Sequence, residues 1–126
     1  MTLPAGKEEQ MQEAIEITES KGDICRAIMS ELTDWFTEPE VIEACAEAVE
    51  TLPMFGCLDE GTVTGFVAVQ AHPPGAMEIL VIATRRQHHG SGVGKRLLAA
   101  AERFARSAGC KLLTVKTLAP RGRDEP

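Results

Sequence analysis

The residues best suited to chemistry are concentrated in residues 85–96, which read Arg-Arg-Gln-His-His-Gly-Ser-Gly-Val-Gly-Lys-Arg. Three glycines in this segment directly precede an apolar helical pattern. The first N–H groups of a helix lack partners within the helix, the helix dipole adds positive character at that end, and glycine lets an anion approach the main chain. The segment therefore predicts an anion site, suited to phosphate groups, at the start of a helix.

Two nucleotide-binding motifs share this composition, but neither fits it. The P-loop, G-x-x-x-x-G-K-[ST], would place His89 at its first glycine and Arg96 at its magnesium-binding hydroxyl. The dinucleotide motif, G-x-G-x-x-G, would place Lys95 at its third glycine. A surface turn without a ligand is the remaining alternative, although glycines at a helix start cost about 1 kcal/mol each in helix propensity.

The cysteines do not indicate a metal site. Cys25, Cys45, Cys57 and Cys110 form no C-x-x-C pair and have no histidine at ligand spacing. We expect free, mostly packed thiols in a reducing compartment, and no bound metal.

The length and composition indicate one domain. A chain of 126 residues and 13.6 kDa supports a single core, so we expect one domain over residues 1–126 with flexible ends at 1–13 and 121–126. No apolar run approaches the roughly 20 residues of a membrane helix, and no secretory leader is recognisable. We therefore expect a cytoplasmic protein with no membrane partner.

Charge is divided unevenly along the chain. Residues 1–61 carry 15 acidic and 3 basic residues, whereas residues 62–126 carry 4 acidic and 10 basic residues, within a net charge of −6. The acidic half would repel nucleic-acid phosphates, so we expect no nucleic-acid partner. The division favours a small polyanion on one half and a cationic group on the other, unless the first half is only a solvated, glutamate-rich surface.

Two helices are predicted in the first half. Asp23 is the expected N-cap of the first helix, whose apolar residues recur as far as Trp35. Thr37 and Glu40 form an expected capping box for the second helix. The apolar stripe predicted for this second helix consists of Val41, Ala44, Cys45, Ala48, Val49 and Leu52.

The remaining elements are predicted from apolar periodicity. Strands are expected at residues 14–18, 54–58, 62–72, 77–83 and 111–118. Asp59-Glu60-Gly61 is expected to form a three-residue hairpin loop, and the run at 77–83 a central strand covered on both faces. The clearest helical stripe spans residues 93–108 and ends at Gly109.

This order of elements resembles that of the GCN5-related N-acetyltransferases. The segment His89-Gly90-Ser91-Gly92-Val93-Gly94 is similar to their acyl-CoA pyrophosphate loop, [QR]-x-x-G-x-[GA], with His89 in place of Gln or Arg. The resemblance covers about residues 15–118. It implies an α/β (α+β) fold with a mixed, mostly antiparallel sheet flanked by helices, in the order β-α-α-β-β-β-α-β and C-terminally truncated.

The resemblance implies acetyl-CoA or coenzyme A as co-substrate. The N–H groups from Gly90 through Lys95 would bind the pyrophosphate, and the backbone of Ile82 and Thr84 would pair with the pantetheine arm. A backbone N–H near Ile82 would polarise the acetyl carbonyl. The expected cofactor-binding residues are Ile82, Ala83, Thr84, His89, Gly90, Ser91, Gly92, Val93, Gly94, Lys95 and Arg96. Four cations either reach the outer phosphates or form a solvated rim: Arg85, Arg86, Lys95 and Arg96.

The resemblance also implies direct attack by an amine of a small molecule or peptide. A base is then required, because an alkylammonium is protonated at pH 7. Glu78 matches the strand glutamate that similar histone acetyltransferases use, and it is the one acidic residue between residue 62 and the long helix. The alternative is a solvated carboxylate near the turn at residues 73–75. His72, His88 and His89 are weaker candidates.

The family normally continues with a further helix and two strands, which carry a tyrosine or similar general acid. This sequence has no tyrosine and ends at Pro126. A non-catalytic acyl-CoA-binding module, or an inactive fragment of a longer acetyltransferase, is therefore the alternative function, with a nucleotide-binding domain a distant third. The last strand would have an unpaired edge, which predicts a homodimer through that edge.

Overall fold

A computed structural model describes residues 14–32, 34 and 36–115. The elements of this part follow in the order β1 (Ile15–Glu16), α1 (Lys21–Ser30), α2 (Pro39–Val49), β2 (Met54–Asp59), β3 (Thr62–His72), β4 (Ala76–Thr84), α3 (Val93–Ser107) and β5 (Leu112–Val115). A 3-10 turn at Arg86–His88 precedes α3. The predicted order of elements is confirmed. Trp35, residues 116–118 of the predicted last strand and both predicted flexible ends lie outside the described residues.

The strands form one sheet in the order β1-β2-β3-β4-β5. Neighbours from β1 to β4 are antiparallel, and β5 is parallel to β4. A parallel pair needs a crossover connection, and α3 supplies it. The predicted mixed, mostly antiparallel sheet flanked by helices is confirmed.

Each face of the sheet has its own hydrophobic core. One core joins α1 and α2 to the sheet and includes Phe66 and Ala68 of β3. The other joins α3 to the opposite face and includes Val67 and Val69 of β3. Because successive strand residues point to opposite faces, the continuous apolar run in β3 serves both cores.

The long helix α3 forms as its periodicity predicts. Its buried residues are Val93, Leu97, Ala100, Ala101 and Ala105. Gly109 follows the helix at φ 84°, and the N–H of Cys110 donates to the Ala105 carbonyl at 2.9 Å. This 6→1 bond after a left-handed glycine is a Schellman ending, which satisfies a carbonyl at the end of the helix.

Both predicted N-caps in the first half are wrong. Helix α1 begins at Lys21 after Ser20, so Asp23 lies in its first turn instead of at the cap. The N–H of Gly22 in this turn is bound by the Glu50 carboxylate at 2.9 Å. Helix α2 begins at Pro39 after Glu38, without a side-chain cap, so Thr37 and Glu40 form no capping box. Proline at the first helical position needs no N–H acceptor, and this sets the start of the helix.

The predicted apolar stripe of α2 is partly wrong. The buried residues are Ile42, Ala46 and Val49, whereas Val41 is 42% exposed. Apolar residues occur on more than one side of this helix, so periodicity alone does not select the buried side. Packing against α1 and the sheet selects it.

The loop between β2 and β3 is shorter than predicted. Asp59 pairs with Thr62, which leaves Glu60 and Gly61 as a two-residue turn. Both have positive φ, 54° and 83°, as a type I′ hairpin requires. The expected hairpin is confirmed and its three-residue loop is corrected. No helix within the described part of the chain is long and apolar enough to span a bilayer.

Candidate functional site

A β-bulge interrupts β4 at Leu80. Val69 of β3 pairs with Ile79 and the adjacent Ala68 pairs with Val81, so Leu80 is an extra residue without an opposite partner. A bulge locally disrupts the ladder of hydrogen bonds and re-aims the groups around it. It therefore turns main-chain groups of β4 away from β3 in the middle of the strand.

The bulge also reverses the sheet face to which alternate side chains of β4 point. Met77 and Ile79, before the bulge, belong to the core against α3. Val81 and Ala83, after it, belong to the core against α1 and α2. The prediction that this strand is covered on both faces is confirmed, but the bulge itself has no signal in the apolar run.

On its second edge, β4 pairs with the parallel strand β5. Ala76 through Ile79 pair with β5, and within the described residues no strand pairs with Leu80 through Thr84 on that edge. The last described pair on this edge, Ile79 with Val115, comes directly before the bulge at Leu80.

The glycine loop leads into the first turn of α3. Gly90 and Gly92 have φ of 84° and 90°, a region that glycine adopts without steric cost. The N–H of Arg96 donates to the Gly92 carbonyl at 3.2 Å and makes the first bond of the helix. The N–H groups of Val93, Gly94 and Lys95 precede this bond and have no helical acceptor. The predicted helix start at this loop is confirmed.

A cleft of about 340 Å³ lies between the end of β4 and the start of α3. Its walls come from β4, the glycine loop, α3 and the connection between α1 and α2. They include Ile82, Ala83, Thr84, His88, His89, Gly90, Gly94, Leu98, Leu32 and Phe36. Leu32 and Phe36 were not predicted for the site, because apolar residues after a helix carry no sequence signal for a cleft wall.

The other residues predicted for cofactor binding are not among those that line this cleft, namely Ser91, Gly92, Val93, Lys95 and Arg96. Val93 is buried in the core against α3. Ser91, Val93 and Arg96 border a separate depression of about 140 Å³. Of this loop and the first turn of α3, Gly90 and Gly94 border the cleft with main-chain atoms, because glycine has no side chain.

The His89 side chain connects the glycine loop to β4. Its Nε2 lies 2.8 Å from the carbonyl oxygen of Thr84. His89 occupies the position at which the acyl-CoA loop pattern, [QR]-x-x-G-x-[GA], has Gln or Arg. The imidazole thus anchors the loop to the last residue of the strand.

Arg85 and Arg86 are committed to intramolecular contacts. The Arg85 guanidinium forms an ion pair with Glu31, and its Nε donates to the Val63 carbonyl at 2.8 Å. Arg86 forms an ion pair with Asp34 at 3.2 Å. The expectation that these two arginines reach outer phosphates is not supported by their contacts, since the acidic residues after α1 bind them.

Glu78 lies in β4 two residues before the bulge, outside the residues lining the cleft. Its Oε1 is 2.8 Å from Nε2 of His72, near the end of β3. The Glu78 side chain is 19% exposed, whereas that of His72 is 53% exposed. The Glu78 carboxylate is thus partly buried and bonded to His72, and its role as a base stays a prediction.

The cysteines are free thiols. Burial, followed by the neighbouring Cys45, raises the pKa of Cys25 to about 12. Burial also raises the pKa of Cys45 and of Cys57. Raised values disfavour the thiolate, so these side chains are unsuited to nucleophilic attack at neutral pH. Among the described residues, no group of three or more His, Cys, Asp and Glu could hold a metal ion.

Comparison with known proteins places this geometry in a family. The sequence model of the acetyltransferase (GNAT) family matches residues 13–123. Comparison with curated protein sequences gave no significant match.

Several solved structures share the fold. A protein from Desulfovibrio desulfuricans, described as a GNAT-family acetyltransferase, is 20% identical with a TM-score of 0.75, over 87% of this chain and 78% of that one. A ribosomal-protein-alanine N-acetyltransferase from Brucella melitensis is 16% identical with a TM-score of 0.68, over 88% and 84%. An aminoglycoside N-acetyltransferase in complex with CoA is 16% identical with a TM-score of 0.65, over 90% and 81%. Because the family match spans nearly the whole sequence and the fold agrees with it, this chain belongs to the acetyltransferase (GNAT) family.

Proposed function

We propose that this chain is an N-acetyltransferase that transfers an acetyl group from acetyl-CoA to a primary amine by direct attack in a ternary complex. The family implies acyl transfer from acetyl-CoA. The observation that carries the finer proposal is one cleft bordered both by the first turn of α3 and by the end of β4.

The start of α3 fits a diphosphate. The N–H groups of Val93, Gly94 and Lys95 have no helical acceptor and lie at the positive end of a 15-residue helix. An added Cβ at Gly94 would meet no atom within 4 Å, and Gly94 borders the cleft. An anion can therefore approach the main chain here without displacing a side chain.

The end of β4 fits the pantetheine arm. Ile82 and Thr84 border the cleft, and an extended amide-containing arm can pair with their main chain as an added strand does. The Thr84 carbonyl is also bound by His89. A carbonyl oxygen has two lone pairs, so it can accept a second hydrogen bond.

The bulge and Glu78 supply the catalytic groups. N–H groups that the bulge frees, between Leu80 and Ile82, donate to the thioester oxygen, on which negative charge develops as the amine attacks. Glu78 takes the proton that the ammonium must lose first, which is general-base catalysis. No cysteine participates, in keeping with the raised pKa of the buried Cys25 and Cys57 thiols.

The diphosphate site is tested by calorimetry with CoA on Gly94→Ala. The added methyl group projects into the space proposed for the ligand, so we expect binding at least tenfold weaker. The thermal midpoint should stay the same or rise, because alanine is favoured over glycine in helices by about 1 kcal/mol. Ser107→Ala, exposed at the far end of α3, is the matched control and should bind normally. Wild-type affinity in Gly94→Ala would overturn the site.

Turnover is tested by CoA-thiol release with a panel of primary amines. The panel contains a polyamine, an aminoglycoside, a peptide with N-terminal alanine and a peptide with an internal lysine. Glu78→Gln should lower kcat about a hundredfold, within the usual range for loss of a general base. Glu102→Gln, on an exposed turn of α3, is the control. Tight CoA binding without turnover of any amine would support the alternative, a non-catalytic acyl-CoA-binding module.

A further inference from the structure

We propose that His72 is a positioning residue, which holds the Glu78 carboxylate in the orientation that proton transfer requires. This inference rests on the proposed function, in which Glu78 is the base. Nothing in the family resemblance assigns a role to His72 beyond that of a weak candidate base.

The contact follows from the register of β3 and β4. Gln70 pairs with Glu78 and His72 pairs with Ala76, so His72 and Glu78 are diagonal neighbours across the two strands. Diagonal neighbours in a sheet lie close enough for long side chains to meet. Nε2 of His72 and Oε1 of Glu78 are 2.8 Å apart, a good hydrogen-bond distance.

Glu78 needs a hydrogen-bond partner to hold its carboxylate in one direction at this point of β4. The last described pairs of β4 with β5 are Glu78 with Thr114 and Ile79 with Val115. Leu80, the bulge residue, follows Ile79. At the usual strand rise it lies roughly 7 Å along β4 from Glu78. A glutamate has three rotatable side-chain bonds, so a free carboxylate at this point would sample several directions. Within the described residues, His72 is its hydrogen-bond partner.

One hydrogen bond from His72 makes the two carboxylate oxygens unequal. Nε2–H donates to Oε1, which leaves Oε2 to accept a proton from the ammonium. The nitrogen then forms its bond to the acetyl carbon as the C–S bond breaks. The second proton lost by nitrogen leaves with the sulfur as the CoA thiol, and Glu78 returns its own proton to water. His72 takes no proton in this sequence and acts only through Glu78.

The exposure of the two side chains supports this division of roles. The Glu78 side chain is 19% exposed and the His72 side chain is 53% exposed. Replacing a half-exposed histidine at the end of β3 removes little packing, so His72 variants should fold and remain measurable.

The experiment compares kcat and KM of His72→Ala, His72→Gln, Glu78→Gln and the double variant His72→Ala/Glu78→Gln, by CoA-thiol release with the best amine of the panel above. We expect His72→Ala to lower kcat about tenfold and to leave both KM values within about twofold. His72→Gln should retain most of the activity, because its amide N–H can donate to the same oxygen. The double variant should be no slower than Glu78→Gln, because the two residues act as one unit. Gln70→Ala, directly opposite Glu78, is the control and should be normal.

Three results would overturn the inference: a wild-type kcat in His72→Ala, equal losses in His72→Gln and His72→Ala, or losses that multiply in the double variant. The tautomer gives a readout without turnover. Long-range ¹⁵N NMR should show the His72 proton on Nε2, and a proton on Nδ1 alone would contradict the donated hydrogen bond. A wild-type protein that releases no CoA with any amine would instead overturn the proposed function, and this inference with it.

Discussion

Nε2 of His89 lies 2.8 Å from the carbonyl oxygen of Thr84, so one imidazole joins the glycine loop to the end of β4. Both residues border the cleft between β4 and α3. The acyl-CoA loop pattern of the family has Gln or Arg at the position of His89, and both of those side chains also have N–H donors. The histidine can therefore replace them in holding the loop against the strand.

His89→Ala should weaken CoA binding about three- to tenfold, because the loop loses its anchor and must be ordered by the ligand. His89→Gln should restore most of the affinity through its amide N–H. Isothermal titration with CoA measures both, and Gln87→Ala, on the exposed face of the 3-10 turn, is the control. Equal affinities for His89→Ala and wild type would show that the anchor is irrelevant to binding.

Arg85→Ala should destabilise the protein without affecting CoA binding. The Arg85 side chain is 19% exposed, donates to the Val63 carbonyl and pairs with Glu31. Its removal leaves a half-buried carbonyl and a carboxylate without their donor, at a cost of about 1–3 kcal/mol in the free energy of unfolding. Urea unfolding measures this cost. Arg86→Ala, whose ion pair is more exposed, should cost less. A large loss of CoA affinity in Arg85→Ala would restore the phosphate role.

Gly65→Ala should destabilise the protein, whereas the same substitution at Gly94 should not. An added Cβ at Gly65 would lie 2.8 Å from Val93 Cγ1 and 3.0 Å from the Ala83 carbonyl oxygen. The backbone around Gly65 and the start of α3 must then move apart. This lowers the free energy of unfolding by about 1–3 kcal/mol, as overpacking does. Thermal unfolding of the two variants, side by side, compares them. An unchanged midpoint for Gly65→Ala would show that α3 is not packed this closely on β3.

Stability should fall as pH rises above about 8.5. Burial raises the pKa of Cys25 to about 12, and a thiol in the unfolded chain titrates near 8.5. Between these values the unfolded chain has lost a proton that the folded chain retains, so the free energy of unfolding decreases with pH. Cys45 and Cys57 are shifted in the same direction. Urea unfolding at pH 7.5, 9 and 10 should show a smaller decrease in Cys25→Ala than in wild type, and equal slopes would contradict this account.

Self-association through β5 stays a prediction. Within the described residues β5 has one neighbour, β4, and Leu112 and Val115 are 56% and 40% exposed. An open strand edge with apolar side chains can pair with a second copy. Sedimentation at micromolar protein should then show a dimer, and Leu112→Lys should shift it toward monomer. A monomeric wild type would remove this expectation.

Periodicity predicted the order of the elements, because amphipathic patterns report which face of an element is buried. Three features that the sequence predicted are local in the chain: the apolar stripe of α3, the hairpin strands β2 and β3, and the glycine loop before α3. The N-cap of α1 failed because a distant residue, Glu50, satisfies its first turn. The capping box of α2 failed because the helix begins at Pro39, which needs no N–H acceptor. The stripe of α2 failed because two of its sides are apolar and only packing distinguishes them.

The sequence by itself determined that a glycine-rich helix start follows a buried strand, since glycine conformation and unpaired first-turn amides are properties of a few adjacent residues. Only the tertiary structure decided what surrounds that helix start. The bulge at Leu80 depends on the register of β4 against β3, and the pairing of Arg85 with Glu31 depends on how α1 meets the sheet. The contact of His72 with Glu78 likewise exists only because two strands align. Register and helix docking are set by the whole core at once, so no short stretch of sequence encodes them.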